Sequence, residues 1–343
     1  MNYLKRSVVI LLALVLNACP YPFWPDDYEF EYDIIVTDVP VNLVSINSSY
    51  DDYNSDLPYP YTGKELYFSS NRSGHDFNII LRDLSISYHE KDDVLNVHCS
   101  YVGDYAELTS YQSELLELVN TYDDQLGPLF FFGPQEHSYF FYADNREGDF
   151  DIKFTHHLKS DFGTHSAQEV INGPDSLLVI NSDKDDLYPS ITPDQDKLYF
   201  CSDREGERFN IYSVPLPGAQ SLHDFFTGSE AVEPDLNAVL STSDFNDKCP
   251  YIYEDIMVFT SDREGGFGGF DLYFSLLVNG NWTAPVNFGP KINTEYDEYR
   301  PILFPFIDIQ MNLMIFSSDR PGGLGGFDLY MVKADSYISP PAR

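Results

Sequence analysis

One segment recurs five times in this 343-residue chain, and it limits the possible folds more than any other feature. The copies are Leu66–Ile79 (LYFSSNRSGHDFNI), Phe140–Ile152 (FFYADNREGDFDI), Leu198–Tyr212 (LYFCSDREGERFNIY), Val258–Tyr273 (VFTSDREGGFGGFDLY) and Ile315–Tyr330 (IFSSDRPGGLGGFDLY). Their arginines, Arg72, Arg146, Arg204, Arg263 and Arg320, are spaced by 74, 58, 59 and 57 residues, a near-constant period broken by one insertion between the first two copies. Self-similarity at a fixed period marks a repeat architecture in which each unit buries its apolar face against the next.

Each copy reads as a β-hairpin. An aromatic and β-branched run enters Ser/Ala-Asp/Asn-Arg, a glycine-bearing loop follows, and the chain leaves through Phe-Asp/Asn-Ile/Leu. A further strand lies upstream, clearest at Pro189-Ser190-Ile191, with matching pieces at Leu57–Tyr61, Cys249–Tyr253 and Arg300–Phe304. A fourth lies downstream, as in Trp282–Phe288. Four strands per copy and five copies predict an all-β fold, a single five-bladed β-propeller over residues 33–335 with a tail at 336–343. After the fifth hairpin too little chain remains for an outer strand, whereas Pro40–Asn47 parallels Pro285–Asn293, so the N-terminal segment is expected to close the ring.

The segments around Ser261-Asp262-Arg263 and Ser318-Asp319-Arg320, with Pro-Ser-Ile-Thr-Pro-Asp at 189–194, resemble the TolB-like, WD-repeat-like propeller repeat of bacterial envelope proteins. The Gly-Gly-Phe/Leu-Gly-Gly-Phe-Asp-Leu-Tyr form is especially similar to propellers of Bacteroidota envelope proteins. The first two copies depart from the pattern, with Asn71 and Asn145 in place of aspartate.

The N-terminus fits that setting. Lys5 and Arg6 precede the apolar run Ser7–Leu16, too short to span a bilayer, and Leu16-Asn17-Ala18-Cys19 resembles a bacterial lipobox. Residues 1–18 are therefore expected to be a lipoprotein signal peptide, Cys19 the lipid attachment site, residues 19–32 a tether, and the protein an outer-membrane lipoprotein of the cell envelope.

Composition narrows the partners. The 55 Asp+Glu against 20 Lys+Arg give a net charge of −35, which disfavours nucleic acid, while 43% hydrophobic residues rule out an acidic disordered chain. Envelope protein or glycan remains as the expected partner. Cys99, Cys201 and Cys249 lack zinc-ligand spacing, and a disulfide among them is left open.

A group present in every blade usually holds that blade together, whereas catalysis needs unlike groups. Arg72, Arg146, Asp203, Arg204, Asp262, Arg263, Asp319 and Arg320, with Asp151, Asp271 and Asp328, are accordingly expected to be structural. No HExxH or GxSxG motif is present, His156 and His157 face opposite sides of a strand, and no metal site is expected from the eight scattered histidines. No cofactor is implied, although calcium at an acidic loop such as Asp183–Asp186 is conceivable. The expected role is a binding or scaffolding module and not an enzyme. The alternative is a propeller hydrolase such as a glycosidase with carboxylates in the central channel. The irregular stretch between Asp83 and Leu129, where Leu108, Leu115, Leu116 and Val119 approximate a helical stripe, is expected to be the outer strand of blade one plus an inserted amphipathic helix packing on the propeller, with a lid or partner-docking element as the alternative.

Overall fold

A computed structural model describes residues 34–58, 65–74, 76–100, 108–158, 170–306 and 310–338. Residues Asp33–Arg343 form one compact unit. The signal peptide, Cys19 and the tether lie outside the described residues, as does the side chain of Cys99.

Five antiparallel sheets follow one another in chain order. Blade one runs from the inner strand Asp52–Asp56 through Glu65–Ser70 and Asn78–His89 to Val94–Ser100, with Ile34–Val36 added outside. Blade two comprises Gln125–Phe132, His137–Asp144, Asp151–Leu158 and Ile171–Ser176. In blade three the strands are Asp186–Ile191, Lys197–Ser202, Asn210–Pro215 and Asp235–Leu236. Asp247–Tyr253, Ile256–Ser261 and Asp271–Val278 form blade four, its last strand pairing with both Asn281–Trp282 and Val286–Asn287. Blade five comprises Glu298–Phe306, Met311–Ser318 and Asp328–Lys333, and the N-terminal strand Val41–Asn42 completes it. The all-β five-bladed propeller is thus the fold, with its fifth blade closed from the N-terminus as expected.

The closing strand reproduces a covalent blade in detail. Asn42 Nδ2 donates to Asp328 at 2.8 Å, as Asn287 Nδ2 donates to Asp271 at 2.7 Å in blade four. Asn47 brackets Leu329 through both backbone groups (2.8 and 2.9 Å), as Asn293 brackets Leu272 (2.9 and 3.0 Å). The same segment also binds blade one, where Ile34–Val36 pairs with Leu95–Val97.

The first inner strand sits earlier than the Leu57–Tyr61 piece suggested, at Asp52–Asp56, and the fourth-strand element of blade four is two short pairings, not one strand. The insertion is a helix, α1 (Ser110–Val119), begun by a capping box in which Gln112 N donates to Thr109 Oγ1 (3.2 Å) and Thr109 N to Gln112 Oε1 (2.9 Å). Its buried Leu115 and Val119 join Tyr67, Ile79, Phe140 and Tyr142 between blades one and two. A second helix, α2 (Leu222–Phe226), seats Leu222 and Phe226 against Tyr139, Phe141 and Phe154 of blade two.

Candidate active site in the central channel

The repeat arginines face inward from the hairpin turns. Arg204 Nη2 reaches Ile180 O (2.7 Å) and Asp186 Oδ1 (2.5 Å), and Arg263 Nη2 reaches Leu240 O (2.6 Å) and Asp247 Oδ1 (2.5 Å). Arg72 makes the same pair with Ile46 O and Asp52, and Arg320 with Ile292 O and Glu298. Each of these four guanidiniums also lies over the phenylalanine of its own strand: Phe68, Phe200, Phe259 or Phe316. Arg146 departs, because Gln125 replaces the acid. It is half exposed, 3.5 Å from Asp123 and 3.8 Å from Asp144, while Lys153 approaches Asp144 instead.

The residues before the arginines form an outer ring. Asp203, Asp262 and Asp319 accept from the backbone N of Asp185 (3.1 Å), Asn246 (2.6 Å) and Asp297 (2.8 Å). Those residues in turn accept from the Phe at the end of the preceding hairpin: Phe150 N to Asp185, Phe209 N to Asn246 and Phe270 N to Asp297. Asp51 accepts likewise from Phe327 N, closing the circle across the chain ends. Asp271 and Asp328 accept two backbone N–H groups of their own glycine loops, from Phe267 and Gly268 and from Leu324 and Gly325. Burial raises the Asp151 carboxyl to about 6, with Asp149 adding to the effect.

Inside this ring the five-fold likeness ends. Every inner strand has a register shift after its second residue, and the third residue, Asn54, Gly127, Tyr188, Cys249 or Arg300, takes positive φ, between 47° and 60°. That bulge turns the third residues toward the channel, where they meet across it. Asn54 Nδ2 lies 3.3 Å from the Tyr188 hydroxyl, and the Arg300 guanidinium lies 5.3 Å over the Tyr188 ring. Arg300 Nη2 donates to Pro128 O (3.2 Å) on blade two. Arg300 is fully buried, and its Nε and Nη1 have no hydrogen-bond partner among the described residues. Nearby, burial raises Asp56 to about 6 against the pull of Phe130 N (2.8 Å) and the Arg300 charge. Cys201 and Cys249 are buried free thiols, and burial pushes Cys249 up to about 11.

Above this plug, on the hairpin face, opens a cavity of about 430 Å³. Its wall is aromatic: Phe77, Phe150, Phe209, Phe270 and Phe327, one from each hairpin, with Tyr53, Tyr188 and Tyr299. Asp51, Asp185 and Asp297 supply carboxylates, and Lys248, whose Nζ lies 3.9 Å from the Phe209 ring centre, supplies a cation. Burial, more than the neighbouring Asp319 and Asp262, raises the Asp297 carboxyl, partly offset by Phe270 N.

Fold and site together define a five-bladed propeller with an aromatic-walled, carboxylate-bearing cavity at the mouth of a plugged channel. Among solved structures, the chain is similar to an endo-arabinase from Bacteroides thetaiotaomicron, at 15% identity and TM-score 0.50 over 89% of this chain and 98% of that one. It is also similar to a thermostable family-43 glycoside hydrolase, at 12% identity and TM-score 0.51 over 88% and 97%. A protein provisionally assigned as TolB, from Agrobacterium tumefaciens, aligns at 12% identity and TM-score 0.41 over 89% and 87%. No family model and no curated protein sequence matches the chain.

The expectation of a binding or scaffolding module that is not an enzyme is corrected here. The propeller is of the kind seen in these glycoside hydrolases, and the channel carries unlike polar side chains where the hairpins carry like ones. Repetition directed attention to Arg72, Arg204, Arg263 and Arg320, which tie strands together, and away from Asn54, Tyr188, Cys249 and Arg300. A signal for the latter was present. In four of the five copies a proline, Pro128, Pro189, Pro250 or Pro301, directly follows the channel residue.

Proposed function

We propose that the protein is a glycoside hydrolase that cleaves its substrate in the cavity at the channel mouth. The observation that carries this reading is the joining, in one cavity of about 430 Å³, of aromatic faces with three carboxylates and an ammonium group. Sugar rings offer apolar C–H faces to aromatic side chains and hydroxyls to carboxylates and ammonium groups, so such a wall is suited to them. Asp297, whose carboxyl burial raises, is suited to protonate the glycosidic oxygen as its bond to the anomeric carbon breaks. Asp51 or Asp185 then takes the proton of the attacking water, or attacks the anomeric carbon itself. The likeness to an endo-arabinase makes arabinan the first polysaccharide to test.

The decisive variants are Asp297→Asn, Asp185→Asn and Asp51→Asn. Asn246 occupies the equivalent position in blade four and still accepts from Phe209 N at 3.1 Å, so the amide preserves the backbone bond while removing the carboxylate. Reducing-sugar release from arabinan, xylan and aryl glycosides is expected from the wild type, and a fall of about 10²- to 10⁴-fold in kcat from Asp297→Asn. No release from any of these by the wild type, or unchanged rates in all three variants, overturns the reading.

We also propose that the protein is exported to the cell envelope and lipid-anchored at Cys19, a reading supported by the apolar run Ser7–Leu16 and the lipobox-like Leu16–Cys19. Cys19→Ser is expected to move the protein from the membrane to the soluble fraction of its host. Fractionation unchanged by the substitution refutes the anchor.

A further inference from the structure

Three histidines far apart in sequence meet on the face opposite the hairpins. His137 opens the second strand of blade two, His156 lies on the third strand opposite Tyr139, and His223 comes from α2, an excursion of blade three. One ring nitrogen from each lies within 4.8 Å of the others. The rings of His137 and His223 stack at 4.7 Å, and His156 meets His223 edge-on at 4.8 Å. The Nδ1 of His137 is buried and has no hydrogen-bond partner among the described residues.

We propose that His137, His156 and His223 bind a divalent transition-metal ion, zinc being the ion their chemistry suits best. Three imidazoles with a fourth position open to solvent form a common zinc donor set, and nitrogen donors discriminate against calcium and magnesium. The Tyr139 hydroxyl lies 3.2 Å from Nδ1 of His223, a contact that orients this ring and leaves its Nε2 for the ion. Packing alone does not account for a buried, unpartnered imidazole nitrogen, because burying a polar atom without a partner costs free energy that an ion removes. Bound there, the ion joins α2 of blade three to two strands of blade two, a link between neighbouring blades outside the catalytic cavity.

The full chain, stripped with chelator, is titrated with Zn²⁺ by calorimetry and thermal unfolding in the presence of excess Ca²⁺, which occupies the many surface carboxylates. One Zn²⁺ per chain is expected, with a rise in Tm of several degrees. Co²⁺ loading is expected to give the visible absorption of a four-coordinate nitrogen site. His156→Ala and His223→Gln are each expected to weaken Zn²⁺ binding at least about 100-fold and to abolish the Tm shift, whereas His89→Ala, on a distant strand of blade one, retains both. Because His223 is only half buried on a short surface helix, its variant is expected to keep the wild-type circular dichroism, so a loss of binding there reports the site. Absence of one-to-one binding in the wild type, displacement of Zn²⁺ by Ca²⁺, or wild-type Zn²⁺ affinity in both histidine variants overturns the proposal.

Discussion

At the scale of single residues, the repeat arginines divide into two energetic classes. Arg320 is largely buried beside the fully buried Glu298, so Arg320→Ala leaves an uncompensated carboxylate and is expected to destabilise the fold by about 3–5 kcal/mol. Arg146, about half exposed with loose partners at 3.5 and 3.8 Å, is expected to lose less than about 1 kcal/mol on the same change. Urea unfolding of the two variants separates these outcomes, and equal losses would show that the copies carry equal loads. Asp56 provides a pH signature. In the folded chain it holds its proton up to about 6, but unfolded it releases the proton near its ordinary value of 3.8. Folding therefore takes up a proton between these values, and stability falls as pH rises through this window, by about 3 kcal/mol once above it. Asp56→Asn keeps an acceptor for Phe130 N and removes the titration. Relative to wild type it is expected to gain about 2 kcal/mol between pH 4 and pH 7, and a difference that stays flat with pH would place this carboxyl at its ordinary value.

At the scale of elements, the hairpin loops show what the glycine-rich copies gain. Gly325 lies so close to the linker entering blade one that an added Cβ would collide with the Tyr50 carbonyl, and Gly268 stands in the same relation to Tyr296. These loops are packing elements between blades. Gly206, in the shorter loop of blade three, has open space around its Cβ position. Gly325→Ala is accordingly expected to cost about 1–3 kcal/mol, and Gly206→Ala to stay within about 0.5 kcal/mol, as read from shifts in Tm. The hairpins, the closing strand and α1 were legible in the sequence because each leaves a periodic mark: a repeated motif, the paired Pro-Val-Asn of 40–42 and 285–287, or a helical stripe ending in Leu115 and Val119. The channel residues were obscured for the opposite reason. Positions that differ from copy to copy are invisible to a search for likeness, and among them only Asn54 and Gly127 are residue types that readily take positive φ, Gly127 because it lacks a Cβ. The histidine cluster was hidden by distance along the chain, since His137, His156 and His223 meet only after α2 crosses to the neighbouring blade.

At the scale of the whole molecule, the weak point of a ring is the blade that two chain ends must share. Blade five depends on Val41↔Met331 and Asn42↔Tyr330 pairing, on Leu43 N to Leu329 O, and on the side chain of Asn47 bracketing Leu329. Asn293 does the same for Leu272 in blade four, but there the outer strand is continuous in sequence with the strand it covers. Asn47→Ala and Asn293→Ala therefore remove equivalent bonds in different topological settings. Each is expected to lose about 2–3 kcal/mol, since two buried backbone groups lose their partners. The consequences should differ in kind. Loss of the Asn293 contacts leaves the blade-four strand tethered nearby. Loss of the Asn47 contacts lets the N-terminal segment leave the edge of Asp328–Lys333, uncovering unpaired strand groups that recruit a second chain. Hydrogen exchange is expected to show faster exchange at Leu329 and Met331 in Asn47→Ala, with concentration-dependent dimers by light scattering, and neither change at the blade-five edge in Asn293→Ala. If the two variants exchange and associate alike, ring closure is no weaker than any other blade junction, and the terminal strand is held by the contacts of Ile34–Val36 with blade one.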